Sequence, residues 1–127
     1  MDVIVKESGI QGKGVFATRD FKEGEIILDW SDSKVLNSQE IENLPKEYDK
    51  FIYYKGNERI LVTSPARYVN HSCDPNTFIN GFFGIAKRDI QKGEEITEDY
   101  SIENPPNFNM LCNCGSKNCK GTIRTIN

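Results

Sequence analysis

The chain has 127 residues, 37% of them hydrophobic and 28% charged, and its 16 basic and 19 acidic residues leave a formal charge of -3. That length supports one core and excludes two ordinary domains, and a mean hydropathy of -0.56 fits a folded chain rather than a disordered or membrane-spanning one. The charge is uneven: residues 1–103 carry 13 basic and 19 acidic residues, net -6, whereas residues 104–127 carry three basic and no acidic ones, net +3.

An acidic body lacks the basic face of a nucleic-acid binder, so no direct nucleic-acid binding is expected, and a cationic protein partner suits it better. Apolar runs stop at three or four residues, where a membrane helix needs about 20. The first residues, Met1-Asp2-Val3-Ile4-Val5-Lys6-Glu7, hold no long apolar stretch. The expectation is an intracellular protein of the cytoplasm or nucleus, without membrane attachment, secretion as an effector being the alternative.

In chain order, β-branched and aromatic segments predict strands over 3–5, 14–18, 25–30, 51–54, 60–63, 82–86 and 95–97, which makes the chain mainly β. Between the first two strands, Gly12-Lys13-Gly14-Val15-Phe16-Ala17 meets the loose form of a dinucleotide fingerprint but precedes a strand rather than a helix. It is either a tight glycine turn or a place where backbone comes close to a small ligand. One helix is predicted near 37–44: Asn37 caps it with Glu40 three residues on, Ile41 and Leu44 share a face, and Pro45 marks its end. Lys55-Gly56-Asn57-Glu58 reads as a hairpin turn. The segment Arg19-Asp20-Phe21-Lys22-Glu23-Gly24-Glu25 is echoed 69 positions later by Arg88-Asp89-Ile90-Gln91-Lys92-Gly93-Glu94, a strand-turn-strand unit used twice. After Asn104, Pro105-Pro106 and several asparagines lead into a cysteine-rich tail with little apolar material of its own.

The densest polar stretch is Arg67-Tyr68-Val69-Asn70-His71-Ser72-Cys73-Asp74-Pro75-Asn76, which contains the single histidine. Sequence neighbours such as His71, Ser72 and Asp74 rarely converge as a nucleophilic triad, so His71 reads first as a structural hydrogen-bonder. Three of the four cysteines follow the pattern Cys112-x-Cys114-x4-Cys119. Thiolates so spaced in an intracellular chain suit a structural zinc better than disulfides, and a tetrahedral site then needs a fourth ligand, for which Cys73 is the one cysteine left. The competing reading keeps Cys73 as a small buried hydrophobe and the tail as a redox element. The acidic cluster Glu94, Glu95, Glu98, Asp99 and Glu103 reads as a solvated turn on charge alone, and Tyr100 beside it as a core or rim tyrosine whose phenol could also act as an acid, a base or a positioning donor.

Taken in order, the Gly-x-Gly turn, Arg-Tyr-Val-Asn-His-Ser-Cys-Asp-Pro-Asn, Gly-Glu-Glu-Ile-Thr-x-Asp-Tyr and Cys-x-Cys-x4-Cys-x-Gly resemble a SET-domain protein lysine methyltransferase with a post-SET zinc segment. The resemblance covers residues 3–123. It implies a β-clip SET fold, with small sheets and short helices around a knot-like C-terminal segment, over residues 1–103, and a post-SET segment over 104–127 packed on it. It implies S-adenosylmethionine against the backbone of Gln11, Gly12 and Lys13, with Arg67, Asn70 and His71 completing the pocket. It further implies one zinc on Cys73, Cys112, Cys114 and Cys119, Asn70 set near Tyr100, and Tyr100 as the catalytic residue. The substrate implied is a lysine of a basic protein such as a histone or histone-like protein. The alternative is a catalytically silent SET fold that binds a peptide or partner. Many relatives carry Phe or Tyr two positions before the catalytic tyrosine to tune methyl number; Glu98 stands there in this chain, which leaves the methylation state unassigned.

Overall fold

The computed structural model describes residues 2–10, 12–55, 57–99, 109–111, 119 and 122–124. Strand β1 (Val3–Glu7) folds back on β2 (Lys13–Ala17) through a turn in which the Ser8 N–H donates to the Gly12 carbonyl at 2.8 Å and Gly12 takes φ +46°. That left-handed backbone is open to glycine at no steric cost. β3 (Ile26–Asp29) and the two-residue β4 (Lys34–Val35) follow, then helix α1 (Ser38–Asn43). The helix begins as its sequence predicts: the Asn37 side chain accepts from the Glu40 N–H at 2.8 Å while the Glu40 carboxylate accepts from the Asn37 N–H at 3.0 Å. Its expected apolar face is not buried, for no residue of α1 is buried and Ile41 is 40% exposed. Pro45 both ends it and opens a 3-10 segment, Lys46–Phe51, that the sequence reading did not foresee.

β5 (Ile52–Lys55) and β6 (Glu58–Leu61) form the expected hairpin, with Lys55 opposite Glu58. The second strand starts two residues earlier than predicted because the tight loop fixes this register. A further 3-10 turn (Ala66–Tyr68) leads to β7 (Asn70–His71), followed by β8 (Thr77–Asn80), β9 (Phe83–Ala86), β10 (Glu95–Glu98), β11 (Asn109–Leu111) and β12 (Thr122–Arg124). The polar β7 is not legible as a strand in the sequence, since it pairs only because β10 is brought beside it, whereas β8 carries Phe78 and Ile79 and is nonetheless absent from the predicted strands.

The strands make four small sheets, ordered β1-β2-β10-β7, β3-β9-β8, β4-β6-β5 and β11-β12. In the first, β10 runs antiparallel to β2 and parallel to β7, so residues from three distant parts of the chain share one surface. Val15, Ile60 and Ile96 lose all exposure in the core, and Trp30, 3% exposed, meets Tyr53 and Phe82 edge-on at 5.0 and 5.3 Å. β11 and β12 pair antiparallel, with Leu111 opposite Thr122.

The two echoed segments are each other's partners. Phe21 and Ile90 exchange N–H to carbonyl bonds at 2.8 and 2.9 Å, and both side chains are 1% exposed. The Asp20 carboxylate accepts from the Lys92 N–H and the Asp89 carboxylate from the Glu23 N–H, each at 2.8 Å. Gly24 (φ +87°) donates to the Ala86 carbonyl and Gly93 (φ +93°) to the Ala17 carbonyl, so the repeat becomes a local two-fold.

Candidate functional site

The parallel β7–β10 pairing, with Asn70 opposite Thr97 and His71 opposite Glu98, places the Asn-His-Ser-Cys segment directly beside the strand that leads to Tyr100. Ser72 extends this pairing by donating its N–H to the Glu98 carbonyl at 3.0 Å. On the opposite edge of β10 lies β2 and, with it, the glycine turn. The Asn70 amide bridges this gap: its Nδ2 donates to the Lys13 carbonyl at 3.0 Å and to Glu95 Oε2 at 2.9 Å.

Glu95 is half-buried. Its carboxylate also takes the Ser8 hydroxyl, at 2.7 and 2.9 Å from the two oxygens. Such a carboxylate is affordable below the surface only when donors surround it. Gly14 makes room for it, since an ideal Cβ there would collide with the Glu95 carboxylate and stand 2.9 Å from Ser8 Cβ. A Cβ at Gly12, by contrast, would meet no described atom within 4 Å.

His71 is 6% exposed, and both ring nitrogens face protein groups: Nε2 lies 3.4 Å from Cys73 Sγ and Nδ1 3.7 Å from Asp99 Oδ1. Ser72 is equally buried and its hydroxyl accepts from the Asp74 N–H at 3.0 Å, a local turn that leaves no triad geometry with Asp74. Arg67 donates from Nε to the Val62 carbonyl at 2.9 Å and stacks its guanidinium 4.6 Å from the centre of the Phe51 ring. Its described contacts are with those residues rather than with Lys13 or Asn70, because the 3-10 turn instead brings the neighbouring Tyr68 ring beside Lys13 Nζ, 5.7 Å from its centroid.

The acidic cluster is not a solvated turn: Glu94, Glu95, Glu98 and Asp99 are all half-buried. Burial pushes the Glu98 carboxyl up to about 8, so it is mostly neutral at pH 7. Gln11, Tyr100, Cys112, Cys114 and Glu103 lie outside the described residues. Cys119 is described and exposed, and among the described residues no three metal-ligating side chains converge. No helix among them is long and apolar enough to cross a membrane.

Sequence reasoning missed Ser8, Glu95 and Asn76. Asn76 is 2% exposed; its side chain donates to the Glu95 carbonyl at 2.8 Å and accepts from the Thr97 N–H at 3.0 Å, serving β10 as a strand would. Its place directly after Asp74-Pro75 was the one available signal, since such turn residues often bond to distant backbone.

A family model described as SET domain matches residues 12–101. The chain is 35% identical to the variant-silencing SET domain-containing protein of Plasmodium falciparum, over 93% of this chain and 5% of the relative. It is 32% identical to human histone-lysine N-methyltransferase 2D, over 94% of this chain and 2% of that protein. It is also 32% identical to the H3 lysine-36 specific histone-lysine N-methyltransferase of Debaryomyces hansenii, over 93% and 18% of the two chains. The chain thus spans less than a fifth of the length of these curated relatives. A solved structure described as a candidate histone methyltransferase of Plasmodium falciparum superposes with a TM-score of 0.60 at 24% identity, over 76% of this chain and 90% of that one, and shares the small-sheet fold.

Proposed function

Because the chain belongs to the SET-domain family, we propose that it is a protein-lysine N-methyltransferase that uses S-adenosylmethionine to methylate a lysine of a basic protein, a histone or histone-like protein being the first candidate. The observation that carries this reading is the Asn70 amide joined at once to the Lys13 carbonyl and to β10. It supports a cofactor cradle of Gln11, Gly12 and Lys13 on one side and Asn70 and His71 on the other, ending at Tyr100. The arrangement fits such a ligand: no described atom stands within 4 Å of a Cβ placed on Gly12, and the Glu95 carboxylate beneath the turn is taken up by Ser8 and Asn70. His71 would contribute through its backbone, since both ring nitrogens face Cys73 and Asp99. Arg67 would need to leave Phe51 to reach the cofactor.

When bound, S-adenosylmethionine supplies an electrophilic methyl group on a sulfonium. The lysine must arrive as a neutral amine, having given its proton to water. Transfer would form the nitrogen–carbon bond as the carbon–sulfur bond breaks, its electron pair leaving with sulfur, so the residues around the site would have to keep amine, methyl and sulfur in line. The protein's work is alignment. Tyr100 would hold the amine in line by its hydroxyl, and Glu98, held neutral below about pH 8 by burial, would place no fixed anion that favours ammonium beside it. We assign residues 1–103 to the catalytic body and 104–127 to a post-SET segment whose Cys112, Cys114 and Cys119 hold one zinc together with Cys73 of the body. The donor chemistry fits that metal, and His71 Nε2 beside Cys73 Sγ is suited to hydrogen-bond a metal-bound thiolate.

The test is transfer of labelled methyl groups from S-adenosylmethionine to purified histones and to a small basic bacterial DNA-binding protein. Transfer to lysine is expected from the wild type, and Tyr100→Phe should lower it at least about 100-fold, the scale of a positioned acid–base or orienting group. Full activity in that variant would remove Tyr100 from the mechanism. Failure of the wild type to bind S-adenosylmethionine would favour a silent binding module instead.

A further inference from the structure

We propose that Glu95 is a positioning residue for the cofactor turn, acting through Ser8 on one side and Asn70 on the other. The inference rests on the cofactor reading above and deepens it.

The hydrogen-bond directions are fixed by chemistry. The Ser8 hydroxyl accepts from the Ile10 N–H at 3.0 Å, so its own hydrogen is free to point to Glu95, where an oxygen waits at 2.7 Å. The same residue closes the turn through its N–H on the Gly12 carbonyl. An ionised carboxylate only accepts, and so does a carbonyl. With Glu95 Oε2 and the Lys13 carbonyl both facing Asn70, the amide has one permitted orientation: both hydrogens of Nδ2 are used, and Oδ1 is the end aimed at neither acceptor. A single carboxylate therefore holds Ser8, the residue that closes the turn on Gly12, and sets the direction of the Asn70 amide. Gly14 completes the device, for any side chain there would displace the carboxylate.

A group that only stabilised the fold would change melting temperature without separating binding from turnover. A positioning role predicts a split. In Glu95→Gln the negative charge and one of the two acceptor oxygens are lost, so the Ser8 hydroxyl and the Asn70 amide must share the single oxygen that remains. The dissociation constant for S-adenosylhomocysteine, measured by calorimetry, should rise roughly ten-fold or more, and KM for S-adenosylmethionine should rise in step while kcat stays within about two-fold. Ser8→Ala should weaken binding in the same sense, Ser8→Thr should restore it, and Gly14→Ala should imitate Glu95→Gln.

Wild-type binding with unchanged affinity in folded Glu95→Gln overturns this inference and leaves the cofactor reading standing. No binding by the wild type overturns both. Should Glu95→Gln not fold, the Ser8 pair decides: equal affinities for Ser8→Ala and Ser8→Thr count against the inference, and loss with rescue supports it.

Discussion

Glu98 sits on β10 opposite His71, and burial alone raises its carboxyl to about 8. The sign of its effect on stability follows from proton uptake. Between the ordinary value of 4.5 and about 8, the folded chain keeps a proton at this site that the unfolded chain has lost, so stability falls as pH rises through that window and levels off above it. Each pKa unit is worth about 1.4 kcal/mol, and residual exposure of the side chain keeps the loss below the full value. Glu98→Gln should therefore be the more stable protein at pH 8 by a few degrees in Tm and lose most of its advantage near pH 5, as read by thermal denaturation at both values. A steeper pH dependence in the variant would contradict the assignment. The sequence shows a glutamate two positions before Tyr100; it does not show the charge state, which depends on what packs around it.

At the scale of elements, local chemistry was readable and distant pairing was not. The capping box of Asn37 and Glu40 and the hairpin from Lys55 to Glu58 depend on neighbours a few residues apart, and both stand as read. β7 has two residues and no apolar pattern, and exists because β10 lies beside it; Asn76 substitutes for backbone at the same edge. The site shows the same division: Lys13, Asn70, His71 and Cys73 were visible from motif order, whereas the Ser8–Glu95–Asn70 junction joins positions up to 87 apart. α1 offers a test of how much one element contributes. Asn37→Ala should cost about 1 kcal/mol, the usual value of such a cap, and because α1 buries no residue the loss should appear as local amide exchange in 38–43 before any change in global unfolding. A loss of several kcal/mol in denaturant unfolding would mean that the helix is tied to the core.

For the whole molecule, the proposed zinc links the tail to the body through Cys73, whose sulfur lies against His71 at the heart of the site. Metal analysis of reduced protein should return one zinc per chain, with Cys73→Ser and Cys112→Ser each losing it, and chelation should lower Tm. A metal-free protein with unchanged melting would refute the assignment. The body itself is closed by the two-fold between Phe21 and Ile90, in which the Asp20 and Asp89 carboxylates each complete the other segment's turn. On the ribosome this has a consequence of timing. The first turn emerges with its aspartate pointing at a partner not yet made, and β2 likewise lacks β10 until Glu95 and Ile96 have been synthesised. Contacts of such long sequence separation form late, so β2 must wait, without its central partner, until the roughly 80 residues that separate Val15–Phe16 from Glu95–Ile96 have been translated.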